Sequence, residues 1–207
     1  MVKDNQEILQ KRRSARACIR DGIQFYFNHF RLILRKTWPV TLGYAILSMV
    51  ASAIPALISP TLQLWGLLIG VVAVVLLLAS ARWILHKREV LHPSGKVSFS
   101  LWFTHLGAII LIAIVCLFIV SILTLLTSLP SIIMMTANWQ SQMGVINGDA
   151  IGMPDYVRWL SLGAFLLAGF LQACVWLTVL FPFHLLKASL AYKAKEMNEL
   201  KQFNKVN

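Results

Sequence analysis

Four stretches of this chain, at about 40–58, 61–85, 102–127 and 157–186, run with almost no charge for the roughly twenty residues that a helix needs to cross a bilayer core of about 30 Å. Only Arg82, Arg158 and histidines at the edges interrupt them, and both arginines lie near enough to a span end to snorkel to the headgroups. The predicted fold is therefore all-α: a polytopic membrane protein of four transmembrane helices, preceded by an interfacial amphipathic helix, with both termini on the inner side. Composition leaves little else. Hydrophobic residues make up 58% of the chain and charged ones 13%, against about a quarter charged in a soluble domain. With three cysteines, a disulfide scaffold is excluded, and the apolar content excludes a disordered tail.

Local chemistry sets the expected boundaries. Pro39 and Pro60 stand where first helical residues would, Ser59 can cap the second span, and Pro93, Ser94 and Gly95 break the chain before the third. Pro130 is expected to stop span three soon after Thr127. The layout that results is a basic segment at 1–37, a four-helix bundle at 38–186 with an outer loop at 128–156, and a basic tail at 187–207. The loop is read as a short interfacial helix around 132–135 and then irregular chain turning at Asn147, Gly148 and Asp149. It is either a functional lid or a plain connector.

Every one of the nineteen lysines and arginines except Arg158 falls on one side of these spans, which places that side and both ends in the cytoplasm. The first span is expected to direct insertion without a cleavable signal peptide, and the expected location is a bacterial inner (cytoplasmic) membrane. The excess of base points to anionic phospholipid as a partner and not to nucleic acid, since the bases flank spans and no nucleic-acid-binding motif accompanies them.

The most patterned stretch precedes span one. Ile19, Ile23, Tyr26, Phe27, Phe30, Ile33 and Leu34 recur on one helical face, and Arg20, Gln24, Asn28, Arg31 and Arg35 fill the other. Such a helix lies in the interface plane, with Phe27 and Phe30 in the acyl boundary and Arg20, Arg31, Arg35 and Lys36 at the headgroups. The same stripe would equally serve a juxtamembrane helix packed on the bundle.

Chemistry-bearing residues are few. No acid, base or histidine lies deep in a span, so no catalytic residue, metal site or cofactor is predicted. The midplane candidates are Gln172, the most polar side chain at span depth, with Ser48 and Cys116 as its natural interhelical partners. Gly66 and Gly70 form a GxxxG pair, and Ala164 with Ala168 repeats the spacing, which suits either close packing within the bundle or dimerisation. His86, His92, His105 and His184 gather on the predicted inner side without an HExxH, CxxC or haem-attachment pattern.

Three readings of function remain open from sequence. The preferred one is a non-enzymatic accessory, assembly or scaffold subunit that engages anionic lipid and a membrane or cytoplasmic partner. The second is a small oligomeric transporter or channel subunit with Gln172, Ser48 and Cys116 along its route. The third is a membrane enzyme or cofactor carrier using the inner histidines.

Overall fold

A computed structural model of the chain describes residues 14–58, 60–88, 90, 105–148 and 154–206. Among these, regular structure is helical throughout: α1 (Ala15–Asn28), α2 (Phe30–Ala53), α3 (Gln63–Lys87), α4 (Leu106–Ile146), α5 (Asp155–Leu177) and α6 (Leu180–Val206). A π-helical turn (Ile54–Ile58) and a 3-10 turn (Pro60–Leu62) lead from α2 to α3. Four stretches of helix among the described residues are long and apolar enough to cross a membrane: Phe30–Ala56, Gln63–Lys87, Leu106–Ile146 and Tyr156–Met197. This is consistent with a multi-pass membrane protein.

The distribution of side chains points the same way. Buried positions are rich in small residues, among them Ala45, Ala51, Ala73, Ala81, Ala168 and Ala173, whereas Leu67, Val71, Val72, Leu117, Phe118 and Leu167 stand exposed. A water-soluble core has the reverse order. Lipid-immersed helices gain nothing from hiding leucine, so they bring small residues together and leave the large ones to the acyl chains.

The described residues form two compact units, one within Met1–Ile33, Leu85–Ile119 and Thr178–Asn207, the other within Leu34–Ile84 and Val120–Leu177. In the first, α1 lies along α6. Ser14 caps α1, its side chain accepting from the Ala17 amide, and the helix buries Cys18, Gly22 and Tyr26. Cys18 joins Ile112, Cys116, Leu185, Leu186 and Leu190 in an apolar cluster against which Ile19 also packs. Tyr26 and Phe25 meet the Phe181 ring at centroid distances of 5.6 and 5.5 Å. Gly22 is required here: a Cβ would lie 2.7 Å from the Pro182 nitrogen.

The single amphipathic helix expected over 19–35 is thus two. The break falls at His29, whose amide and Nδ1 both meet the Phe25 carbonyl at 3.1 Å and close α1, after which its own carbonyl accepts from Leu32 and Ile33 to open α2. The middle of the predicted stripe is buried against protein, while Phe27, 63% exposed, and Phe30, 37% exposed, remain outside.

Two prolines act differently from the sequence expectation, and a third, Pro182, divides a helix expected to be continuous. Pro39 does not begin a helix but lies within α2, next to a Thr41 hydroxyl that donates to the Trp38 carbonyl at 2.8 Å. Pro130 does not end span three, because α4 runs through it to Ile146. Proline removes the donor for the carbonyl four residues back, that of Leu126, and hydroxyls beside it bond neighbouring carbonyls: Thr127 donates to the Leu123 carbonyl at 3.0 Å and Ser128 to that of Leu125 at 2.9 Å. Most of the stretch drawn as an outer loop is consequently helix, closed at Gly148 with φ +95°. Pro182 lies in the first turn of α6, where its missing N–H costs nothing, so the helix drawn over 157–186 is interrupted at Thr178 and Val179. The expected start of span three at Trp102 lies outside the described residues.

In the second unit α2 closes on its neighbours through glycine. A Cβ on Gly66 would collide with the Ala51 carbonyl, and one on Gly169 would lie 3.0 Å from the Ala45 carbonyl and from Ser48 Cβ. The extension of α4 is tied in by side-chain amides, Asn138 donating to the Ser161 hydroxyl at 3.2 Å and Gln142 to the Ala56 carbonyl at 3.0 Å.

Candidate functional site

Polar side chains recur at one-turn spacing in three of the helices of the second unit. Tyr44, Ser48 and Ser52 share a face of α2, Thr124, Ser128 and Ser131 a face of α4, and Gln172 and Trp176 a face of α5. All eight line one cavity of about 820 Å³, with Gln63 at the start of α3 adding a second carboxamide. The remaining wall is apolar and comes largely from α3, where Leu67, Val71, Val74 and Val75 follow one another past Gly66 and Gly70. Gly70 is open to this space, since a Cβ there would meet nothing within 4 Å.

Hydroxyls and carboxamides both donate and accept hydrogen bonds, so such a surface can satisfy a ligand that carries either function. Among the described residues, lysine, arginine, histidine, aspartate and glutamate are all missing from the lining. The Trp176 indole bonds the Tyr44 hydroxyl, an arrangement that holds two rings at one end of the polar wall. The Thr124 hydroxyl oxygen is buried and lacks a partner. An uncompensated polar atom in an apolar setting is costly.

The candidates named from sequence are distributed over both units. Gln172 and Ser48 come to the same cavity, yet no hydrogen bond joins them, and Cys116 belongs instead to the apolar cluster around Cys18 in the first unit. Gly66, Gly70 and Ala168 line the cavity as well; Ala164 is half-buried and does not. Arg20, Arg31 and Arg35 are exposed and Lys36 is half-buried. Of the histidines, His86 is exposed in the last turn of α3, His184 is half-buried in α6, and His105 Nε2 accepts from the Lys193 ammonium at 2.8 Å; His92 lies outside the described residues. Among the described residues no three histidine, cysteine or acidic side chains are grouped closely enough to hold a metal ion.

Residues that a search for charge passes over make up most of the lining. Tyr44, Ser52, Thr124, Ser128, Ser131 and Trp176 carry no charge, and two of the serines lie beyond the point where Pro130 was expected to end the helix region. The readable signal was hydroxyl periodicity, one polar residue per turn on a single face of each apolar span. No protein-family model, no curated protein and no solved structure matches the chain.

Proposed function

We propose that this chain is a carrier subunit of the inner membrane, with both termini in the cytoplasm, which binds a small molecule between its spans and serves that molecule's movement through the bilayer. One observation carries the reading: Gln172 and Ser48, on different helices and deep in apolar sequence, open with seven further polar side chains onto the same 820 Å³ space. Binding cavities for small molecules fall at about 300–1,000 Å³ and combine an apolar wall with a few convergent polar groups. Polar side chains inside spans are expensive unless another helix or a ligand partners them, and no hydrogen bond joins Gln172 to Ser48.

Native mass spectrometry of the full chain, extracted from its own membrane in a mild detergent, tests this against the accessory-subunit alternative. A small-molecule adduct present on the wild type and absent from Gly70→Leu, which fills the cavity, supports the carrier. A stoichiometric protein partner with an adduct-free cavity would overturn it in favour of an accessory subunit.

A second reading concerns the surface. Arg20, Arg31 and Arg35 are exposed, as are Phe27 and Phe30, which supports contact with anionic headgroups at the inner interface. Reduced co-purification of anionic phospholipid with an Arg20→Gln/Arg31→Gln/Arg35→Gln variant would support it; unchanged lipid content would count against it.

A further inference from the structure

Resting on the reading of the cavity as the working site, we infer that its ligand is an uncharged amphiphile taken from the bilayer, with a hydroxyl- or carbonyl-bearing head and an apolar body. Three features of the wall select this chemistry. Among the described residues no lysine, arginine, histidine, aspartate or glutamate lines the cavity, so a phosphate, carboxylate or ammonium head would be desolvated there without a counter-charge from them. The apolar part of the wall comes largely from α3, which presents Leu67, Val71, Val74 and Val75 beyond Gln63 at its start, while Ser48, Thr124 and Gln172 bring polar groups from α2, α4 and α5. A polyol would leave hydroxyls unsatisfied against the valines, and a plain hydrocarbon would offer no hydrogen-bonding function to the hydroxyls and carboxamides of the wall. A molecule polar at one end satisfies both walls. A volume of about 820 Å³ accommodates such a head together with part of its chain.

The test uses the full-length protein in phosphatidylcholine nanodiscs, titrated with three probes: dioctanoylglycerol, dioctanoyl phosphatidic acid and free glycerol. Bound probe is read by native mass spectrometry, with circular dichroism as the control for folding. The expected result is saturable binding of one dioctanoylglycerol, at least tenfold tighter than phosphatidic acid, with glycerol not retained. Gln172→Leu, which keeps the side chain's size and removes the carboxamide, is expected to weaken it about tenfold, and Gly70→Leu to abolish it. If Gly70→Leu fails to fold, the size-matched Gln172→Leu still decides the point. Binding of phosphatidic acid or of glycerol in preference, sensitive to Gln172→Leu, would overturn the uncharged amphiphile and leave the cavity's role standing. Absence of any adduct sensitive to these substitutions would overturn both.

Discussion

Gly22 of α1 and Pro182 of α6 meet backbone to backbone, so closely that a single methyl on Gly22 would lie 2.7 Å from the proline nitrogen and 2.8 Å from its Cα. The proline has no N–H to lose at this position, and the glycine has no side chain to obstruct it. Between them they let the Tyr26 and Phe181 rings come together on one flank and Cys18 reach Leu185 on the other.

Gly22→Ala should therefore loosen α1 from α6. Alanine favours a helix over glycine by about 1 kcal/mol, but overpacking against immobile backbone costs about 1–3 kcal/mol, and the clash wins. The expected outcome is a lower melting temperature in detergent together with faster proteolysis near α1. Unchanged protection would contradict the close approach.

The two glycines of the GxxxG pair should behave oppositely. Gly66→Ala drives a methyl into the Ala51 carbonyl and is expected to destabilise by about 1–3 kcal/mol. Gly70→Ala places its methyl in open space and is expected to be neutral, or to stabilise by up to about 1 kcal/mol. Thermal unfolding of the two variants side by side checks both; equal losses would mean that the pair serves packing alone.

Asn138 and Ser161 offer a third test. The Asn138 amide donates to the Ser161 hydroxyl, which itself donates to the Val157 carbonyl at 2.8 Å, and both residues are buried. Interhelical bonds of this kind average about 0.6 kcal/mol in a bilayer, and an orphaned buried donor costs about 1–3 kcal/mol. Ser161→Ala should thus lose about 1 kcal/mol in the presence of Asn138 and much less in an Asn138→Leu background. Additive losses in the double-mutant cycle would show that the two residues act independently.

Orientation can be read directly. Reporter fusions at the two termini are expected to be active only as cytoplasmic reporters, and a reporter placed after Gly148 only as an external one. A cytoplasmic signal at Gly148 would invert or redraw the topology.

Much of the fold was legible, and the reasons why some was not are specific. Long charge-free runs announce helices because lipid forbids unpaired backbone, so four helical stretches long and apolar enough to cross a membrane followed from sequence. Proline misled because its effect depends on what surrounds it. Pro130 is carried inside α4, whereas Pro182 falls in a first turn and marks a new helix. The amphipathic stripe over 19–35 showed that a face would be buried and was silent on whether lipid or α6 would cover it. At the cavity, Gln172 and Ser48 stood out by depth alone. Thr124, Ser128 and Ser131 did not, because serine and threonine in an apolar helix usually bond the carbonyl one turn back, as Ser128 in fact does.

The alanine-rich interior and leucine-rich exterior have a thermodynamic consequence. Unfolding of a soluble domain wets its core, and the large positive heat capacity change bends its stability curve and permits cold denaturation. Separating these spans within a bilayer would expose alanine, serine and threonine to acyl chains in place of water. The heat capacity term for that step should be small, and the strength of helix association should vary gently with temperature, governed by packing and hydrogen bonds instead of by hydration.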